Sequence, residues 1–308
     1  MTMQTTDRTN TIQQKLNELI SSKKTNITTI AKGINKSPST VSQYLSNNYG
    51  GKINELENDL SAYLNLFKKH EAAEVKKLSY IETAVSKRIY NAANLCHIHG
   101  KMGACYGAPG VGKTTAIKEY QRINSGVLVV DPLENSSARQ VLRQLSEQLK
   151  VSYYNSMVLD DVFNNIIKKI ENNKHLIILD EAENLKIEVF KVIRKLYDRT
   201  NNNCGVLFVG TTELKMLLLK VQSGFPYISS RIGYIEKLDT IKPEDASKLI
   251  SQYFPNASME LIKFLSKQAN LIARNIQNML DLCLDITKSN NIDLSIDVIE
   301  AAKDKLLI

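Results

Sequence analysis

A ten-residue stretch in the first half of the chain has the residue types and spacing of a phosphate-binding loop. Residues 106–115 read Tyr-Gly-Ala-Pro-Gly-Val-Gly-Lys-Thr-Thr and fit the pattern G-x-x-x-x-G-K-[ST]. The glycines allow a loop whose backbone N–H groups turn inward around phosphate oxygens, where a Cβ would clash. In such a loop Lys113 reaches the β- and γ-phosphates, and the hydroxyl of Thr114 completes the shell of a Mg²⁺ ion. The predicted nucleotide-contacting residues of the loop are Gly107, Ala108, Pro109, Gly110, Val111, Gly112, Lys113, Thr114 and Thr115.

An acidic pair follows an apolar run further along the chain. Residues 175–179 read His-Leu-Ile-Ile-Leu, and Asp180 and Glu181 come next. A strand buried on both faces reads as a continuous apolar run, and its carboxyl end is where an open α/β sheet binds ligands. There Asp180 can orient a Mg²⁺-bound water, and Glu181 can polarise the water that attacks the γ-phosphate. The two motifs predict ATP and Mg²⁺ as cofactors and ATP hydrolysis as the reaction.

The segments around these motifs indicate the fold that must position them. Apolar runs of strand length at 104–106, 126–131, 175–179 and 204–210 alternate with stretches of helical period at 138–149, 158–170 and 186–199. Such alternation predicts an α/β fold, with a parallel sheet and helices on both of its faces. The apolar run at 204–210 is followed by Thr211 and Thr212, which places two hydroxyl groups near the γ-phosphate.

Composition and length place limits on the class of protein. The 308 residues are 43% hydrophobic and 23% charged, which is typical of soluble globular chains of about two domains. No apolar run approaches the roughly 18 residues that a membrane span needs, and the polar N-terminus predicts no secretory signal. Four cysteines without C-x-x-C spacing suit free thiols in a reducing cytosol. We therefore expect a cytoplasmic protein without a membrane partner.

The net charge favours a polyanionic partner. The formal charge is +8, and the first 70 residues hold nine Lys and Arg against five Asp and Glu. A basic balance of this kind supports nucleic-acid binding when it accompanies a motif.

The N-terminal segment contains such a motif. Residues 26–45 predict a short helix to about Gly33, a turn in which Asn35 is left-handed, and a second helix with Ser37 as N-cap and Pro38 in its first turn. The segment resembles the helix-turn-helix of the phage repressor and Cro-like families, over about residues 11–70. The resemblance implies that the second helix enters the major groove, with Ser39, Thr40, Ser42 and Gln43 toward DNA. The alternative is a small helical domain that binds protein. The apolar residues predicted to join the two helices are Ile27, Ile30, Ala31, Ile34, Val41, Tyr44 and Leu45.

The predicted domain organisation has four parts. Residues 1–70 form the helix-turn-helix domain, 71–80 a charged linker, 81–240 the nucleotide-binding core, and 241–308 a helical C-terminal domain. The run Cys96-His97-Ile98-His99 has no second ligand pair at zinc-like spacing, so we interpret it as a helix-to-strand junction.

The P-loop, the strand ending in Asp180-Glu181 and the strand ending in Val209-Gly-Thr-Thr212 together resemble an AAA+ ATPase over about residues 80–308. The resemblance implies that the C-terminal domain is a helical lid, whose Arg274 contacts nucleotide. It also implies that Thr211 senses the γ-phosphate, with Thr212 as the alternative. Lys113, Glu181 and Thr211 are then catalytic residues in the same chain.

The segment Ser229-Ser-Arg231 resembles the one that carries the arginine finger of AAA+ proteins. An arginine from a neighbouring subunit would neutralise charge that develops on the γ-phosphate, so the site would be complete only in an oligomer. Arg194 and Arg199 are the alternatives to Arg231.

The order of domains resembles the phage Mu B family of target-DNA activators. The resemblance implies ATP-dependent helical filaments on double-stranded DNA of any sequence, delivery of that DNA to a transposase, stimulated strand transfer, and a location in the bacterial host cytoplasm. The alternatives are a replication-initiator or helicase-loader ATPase and a nucleotide-controlled transcription regulator. Candidates for DNA-backbone contact, unless they form an ordinary solvated helix face, are Lys186, Lys191, Arg194 and Lys195.

Overall fold

The computed structural model describes residues 2–74, 79–171 and 173–307. The chain divides into two units, residues 1–79 and 80–308. The helix that closes the first unit runs to Glu74, into the segment predicted as a linker, and residues 75–78 of that segment lie outside the described residues. The four-part domain division therefore stays a prediction.

The described part of the first unit consists of helices α1 (Thr2–Ser21), α2 (Ile27–Gly33), α3 (Pro38–Leu45) and α4 (Ile53–Glu74). The Asn26 side chain accepts the Thr29 N–H and begins α2, and Ser37 accepts the Thr40 N–H at 3.2 Å and begins α3. Asn35 lies between these helices with φ of 53°. The predicted cap and left-handed turn are therefore present.

The first unit has its own apolar core. Of the residues predicted to join α2 and α3, Ile30, Ala31, Ile34, Val41 and Tyr44 are buried, and Ile27 and Leu45 pack against them. Two polar side chains are buried with them: Glu57 accepts the Tyr44 hydroxyl at 3.2 Å, and Gln13 donates to the Tyr44 carbonyl. The packing prediction is confirmed, whereas DNA binding by α3 stays a prediction.

The second unit contains a parallel sheet. Its strands are β1 (Met102–Gly107), β2 (Val127–Val130), β3 (His175–Leu179), β4 (Cys204–Gly210) and β5 (Ile232–Leu238), in the spatial order β2-β3-β4-β1-β5. Every strand pair is parallel, as predicted. The sequence reasoning missed β5, because this edge strand alternates between exposed and partly buried residues and lacks a continuous apolar run.

Helices cover both faces of the sheet. On one face, Met102, Ala104 and Tyr106 of β1 share a core with α7 (Ala138–Leu149), α8 (Leu159–Ile170), α9 (Ile187–Arg199) and α10 (Thr212–Gly224). On the other face lie α5 (Ala84–His99) and α6 (Lys113–Ile123), with α5 close against β4. A Cβ at Gly205 would lie 2.1 Å from the Cys96 carbonyl oxygen, so this approach requires glycine. The predicted α/β fold class, a parallel sheet with helices on both faces, is confirmed.

The outer edge of β2 is occupied by glutamine side chains. Gln148 accepts the Val129 N–H at 3.0 Å and donates to the Val129 carbonyl at 2.7 Å. Gln144 makes the same pair of hydrogen bonds with Asp131, each at 3.2 Å. These amides take the place of a neighbouring strand, which protects the edge from pairing with another chain.

A helical subdomain follows β5. It contains α12 (Pro243–Tyr253), α13 (Met259–Gln268), α14 (Ala273–Asn290) and α15 (Ile296–Lys303), which come after the short helix α11 (Pro226–Ser229) and β5. The buried carboxylate of Asp245 accepts the Ala84 N–H at 2.8 Å, which joins α12 to the start of α5. Within the described ranges, no helix combines the length and apolar character that crossing a membrane requires.

Candidate nucleotide-binding site

The phosphate-binding loop connects β1 to α6. Gly112 is the N-cap of α6 and has φ of 98°, and no side chain caps the helix. The first-turn N–H groups therefore have no side-chain acceptor at the cap, which is the arrangement that binds anions at helix N-termini. Gly110 is also left-handed, with φ of 79°. Both positions favour glycine because their φ angles are positive, and the G-x-x-x-x-G-K-[ST] pattern predicts a glycine-rich loop at this place.

Packing also limits the space at two glycines of the loop. A Cβ at Gly107 would lie 2.6 Å from the carbonyl oxygen of Leu238, the last residue of β5. A Cβ at Gly110 would lie 3.0 Å from both Arg274 Cβ and Ile272 Cγ2 in the lid. The loop is therefore held between the end of β5 and the start of α14.

Lys113 is folded over the loop. Its ammonium donates to the carbonyls of Gly107 and Ala108, both at 2.9 Å. The side chain is buried, and this burial lowers the pKa of Lys113. The nearby carboxylates of Glu183 and Asp180 act in the opposite direction and raise that pKa. A desolvated ammonium beside the inward-turned loop is suited to bind phosphate oxygens.

Thr114 and Asp180 are brought together although 66 positions separate them. The Thr114 hydroxyl donates to Asp180 Oδ2 at 2.7 Å, and Asp180 Oδ1 accepts the Glu181 N–H at 3.1 Å. Burial raises the pKa of Asp180, while these two hydrogen bonds act in the opposite direction. A hydroxyl beside a carboxylate supplies the hard oxygen ligands that Mg²⁺ prefers.

The donor set fits Mg²⁺ bound together with nucleotide. Among the described residues, no group of three or more His, Cys, Asp or Glu side chains could hold a metal. Mg²⁺ is commonly bound by one or two carboxylates, with phosphate oxygens and waters as the remaining ligands. Thr114 and Asp180 match that requirement.

Glu181 lies at a strained turn directly after β3. Its backbone is left-handed, with φ of 49° and ψ of 42°, and its exposed side chain accepts the Asn184 amide at 3.3 Å. Left-handed backbone is uncommon for a residue with a Cβ and clusters at functional sites. The geometry therefore suits the predicted role of Glu181 as general base.

Thr211 follows β4 beside the loop. Tyr106 and Gly210 are partners in the β1–β4 register, so the next residues, Gly107 and Thr211, lie side by side at the carboxyl edge. Thr211 is the N-cap of α10 and its hydroxyl accepts the Glu213 N–H, whereas Thr212 lies within α10 and is exposed. This position at the strand end favours Thr211 over Thr212 as the predicted sensor.

Sequence reasoning missed Glu183. Its Oε1 accepts the Thr211 N–H at 3.1 Å, and its Oε2 is buried without a hydrogen-bond partner in the described parts of the chain. The spacing Asp-Glu-Ala-Glu at 180–183 is the only sequence signal, because it brings a third carboxylate to the end of β3 after one turn.

The backbone of Arg274 contacts the P-loop, while contact of its side chain with nucleotide stays a prediction. The Arg274 N–H donates to the Gly110 carbonyl at 2.9 Å, at the start of α14. The Arg274 charge also contributes to the lowered pKa of Lys113, after burial. The first turn of α14 is therefore in contact with the phosphate-binding loop.

Arg231 lies at the opposite edge of the sheet from the loop of its own chain. Ile232 pairs with Met102 at the start of β1, whereas Leu238 pairs with Gly107 at its end. Arg231 and the loop are therefore separated by the length of β1, which is roughly 17 Å along the sheet. Arg231 donates to Asp198 at 2.9 Å, and Asp198 also pairs with the alternative Arg194 at 2.8 Å. The third candidate, Arg199, donates to Asn164 at 3.3 Å.

The predicted DNA contacts lie on two helices. On α3, Ser39, Ser42 and Gln43 are exposed and Thr40 is partly exposed. On α9, Lys191 lies 4.4 Å from the centre of the Phe225 ring, and Lys195 lies 5.2 Å from that of Phe163. Lys186 is exposed just before α9, and Arg194 pairs with Asp198.

Comparison with known proteins agrees with this geometry. Residues 97–218 match the AAA domain family. The chain resembles solved structures of Cdc6p from Pyrobaculum aerophilum (TM-score 0.62, 10% identity, 75% of this chain and 70% of that chain) and ORC2 from Aeropyrum pernix (0.56, 18%, 71% and 66%). At these identities the likeness shows the fold alone. The fold, the phosphate-binding loop and the acidic pair resemble those of AAA+ ATPases, and together with the matched AAA domain they support an ATPase.

Within that class the chain is similar to phage Mu B proteins. It is 28% identical over 206 residues to the Mu-like prophage FluMu DNA transposition protein B of Haemophilus influenzae, covering 66% of this chain and 70% of that protein. It is 24% identical over 254 residues to the ATP-dependent target DNA activator B of Escherichia phage Mu, covering 81% and 80%. A potential ATP-binding protein of Staphylococcus aureus is 25% identical over 276 residues, covering 76% and 98%. The predicted resemblance to the Mu B family is confirmed.

Proposed function

We propose that this protein is an ATP-dependent DNA-binding ATPase that forms filaments on target DNA of any sequence. It delivers that DNA to a transposase and stimulates strand transfer, and DNA and transposase stimulate its hydrolysis of ATP. The observation that carries the proposal is the similarity to the ATP-dependent target DNA activator over 254 residues. This similarity extends well beyond the AAA domain of residues 97–218, which by itself gives no DNA role.

The chain's own residues divide the work of hydrolysis. Bound ATP with Mg²⁺ supplies the phosphoanhydride bond that is cleaved. Lys113 and the first turn of α6 would bind the phosphates, and Thr114 and Asp180 would hold the metal. Glu181 accepts the proton of the attacking water, and the Thr211 hydroxyl orients the γ-phosphate.

The position of Arg231 supports an oligomer in which subunits share the site. The phosphate-binding loop lies at the carboxyl edge of the sheet and Arg231 at the amino edge. Subunits that associate head to tail bring these two edges together, and repeated association without closure gives a helical filament. Asp198 accepts a hydrogen bond from Arg231 Nε, and in this proposal the terminal amino groups of the guanidinium contact a neighbouring subunit's nucleotide.

DNA binding in this proposal uses the phosphate backbone. The net charge of +8 favours a polyanion, and Lys186, Lys191, Arg194 and Lys195 are the candidate contacts in the second unit. Ser39, Thr40, Ser42 and Gln43 of α3 supply short polar groups that can contact phosphates without selecting a sequence. Affinity for random duplex is therefore expected to fall steeply as salt rises.

Electron microscopy and footprinting on random duplex test the proposal. With ATP and Mg²⁺ we expect continuous filaments and uniform protection, and without nucleotide neither. Protection of a single palindrome would instead favour the transcription regulator. A discrete oligomer that leaves the duplex uncoated and captures a helicase would favour the loader.

A further inference from the structure

Glu183 joins the ends of two neighbouring strands next to the proposed site. It lies in the 3₁₀ helix Ala182–Asn184, which follows β3, and it accepts the backbone N–H of Thr211 at 3.1 Å. Thr211 follows β4, and β3 and β4 are paired through Leu179 and Phe208. The hydrogen bond therefore sets the backbone of Thr211 relative to the acidic pair at 180–181.

The structure around Glu183 is built to admit a carboxylate. A Cβ at Gly210 would lie 2.1 Å from Glu183 Oε2, so the carboxylate occupies space at the end of β4 that any larger residue at 210 would take from it. Oε2 itself is buried and has no hydrogen-bond partner in the described residues. An unpaired buried carboxylate oxygen opposes folding, which indicates that the side chain serves a purpose other than stability.

Glu183 also acts on the P-loop through its charge. Burial is the main cause of the lowered pKa of Lys113, and Glu183 is the strongest of the carboxylates that oppose it, ahead of Asp180 and Glu181. Glu183 therefore has an electrostatic effect on the phosphate-binding lysine in addition to its hydrogen bond with the sensor threonine.

We propose that Glu183 is a positioning residue of the ATPase and acts through Thr211. By accepting the Thr211 N–H, it fixes the Thr211 hydroxyl at the place where the γ-phosphate is oriented. This inference rests on the proposed ATP hydrolysis and deepens it. Glu183 neither activates the water nor binds the metal.

Steady-state hydrolysis and nucleotide binding by the full-length protein, with Mg²⁺ and random duplex, test the inference. Glu183→Ala should lower kcat roughly 10- to 100-fold, as losses of positioning groups around metal sites do, while the dissociation constant for ATP changes less than about threefold. Glu183→Gln should retain most of the activity, because the amide oxygen still accepts the Thr211 N–H. Glu188→Ala, an exposed acid in the first turn of α9, is the matched control and should resemble wild type.

Combined variants test whether Glu183 acts through Thr211. Glu183→Ala should cost little further activity in a Thr211→Ala background, since one hydroxyl carries both effects. Gly210→Ala, whose methyl group would displace the carboxylate, should reproduce the loss of Glu183→Ala and keeps the test available if that variant is unstable. Gly224→Ala, at a glycine with open space around it, is the control for a glycine change.

The outcomes separate the inference from the function on which it rests. Unchanged kcat in Glu183→Ala, full multiplication of the Glu183 and Thr211 effects, or a Glu183→Gln variant as slow as Glu183→Ala would each overturn the positioning role. A wild-type protein that hydrolyses no ATP with or without DNA would overturn the proposed function, and this inference with it.

Discussion

The backbone N–H of Arg274 donates a 2.9 Å hydrogen bond to the carbonyl oxygen of Gly110. This contact joins the first turn of lid helix α14 to the middle of the phosphate-binding loop. Ile272 and Arg274 also pack where a Cβ on Gly110 would lie. The loop and the start of α14 are therefore in direct contact through both backbone and side chains.

Substitutions at two glycines separate backbone strain from packing. Gly110→Ala and Gly112→Ala both place a Cβ in the left-handed region, which costs about 1–2 kcal/mol. Only Gly110→Ala also meets the lid at 3.0 Å, whereas nothing lies within 4 Å of Gly112. We expect Gly110→Ala to lower Tm by several degrees more than Gly112→Ala in thermal unfolding. Equal Tm values would show that the lid yields to the methyl group without cost.

Removal of the Arg274 side chain should weaken ATP binding. A hydrogen bond to a charged group contributes about 1.5–3 kcal/mol, so Arg274→Ala should raise the dissociation constant roughly 10- to 100-fold. The backbone hydrogen bond to Gly110 persists in this variant. Lys288→Ala, an exposed cation in the last turn of the same helix, is the control and should bind ATP as wild type does. An equal effect of both variants would show that Arg274 acts only through general charge.

Asp180 should reduce stability while it supports activity. Burial raises the pKa of Asp180, so the folded protein binds this proton more tightly than the unfolded chain does. Stability is then lost as pH rises from the ordinary aspartate pKa through the raised value. Asp180→Asn should therefore have a Tm at neutral pH equal to or above that of wild type, with the difference vanishing in acid, and should lose Mg²⁺-dependent hydrolysis. A lower Tm of the variant at neutral pH would mean that the hydrogen bonds from Thr114 and Glu181 outweigh burial.

Lys113 and Glu181 should act at different stages. Lys113→Ala removes the phosphate-binding ammonium, so nucleotide binding and filament formation should both be abolished. Glu181→Gln keeps the binding site and removes the base, which typically slows hydrolysis 10²- to 10⁴-fold. Its ATP-bound filaments should therefore persist, as electron microscopy over time can measure. Rapid disassembly of Glu181→Gln filaments would count against Glu181 as the base.

Mixing two inactive variants tests whether Arg231 acts on a neighbour. Arg231→Ala retains its own loop and acidic pair, and Glu181→Gln retains Arg231. In a 1:1 filament, a site is intact when an Arg231→Ala subunit supplies the loop and acidic pair and its Glu181→Gln neighbour supplies Arg231. Random head-to-tail association gives this pairing at roughly a quarter of the interfaces, so roughly a quarter of the sites should be active. Arg122→Ala, an exposed arginine paired with Glu119, should be active alone and serves as control. If the mixture stays inactive while both variants co-assemble, Arg194 or Arg199 becomes the candidate finger.

The amino-acid sequence by itself determined the local parts of this protein. The glycine spacing, the Lys113-Thr114 pair and the run ending in Asp180-Glu181 predict the P-loop and the acidic strand end, because each is a pattern within a few consecutive residues. Helical period and caps likewise predict the helices around Ser37 and Pro38. The continuous apolar runs predict β2, β3 and β4, and the end of such a run predicts the position of Thr211.

Only the tertiary structure decided how these parts meet. Strand β5 has no continuous apolar run, and it becomes a strand because it pairs with β1. Contacts between residues distant in sequence determine the partner of Glu183, the close packing around Gly107 and Gly110, and the position of Arg231 at the far edge of the sheet. Which segments become neighbours depends on strand order and register, and the periodicity of one sequence does not specify either.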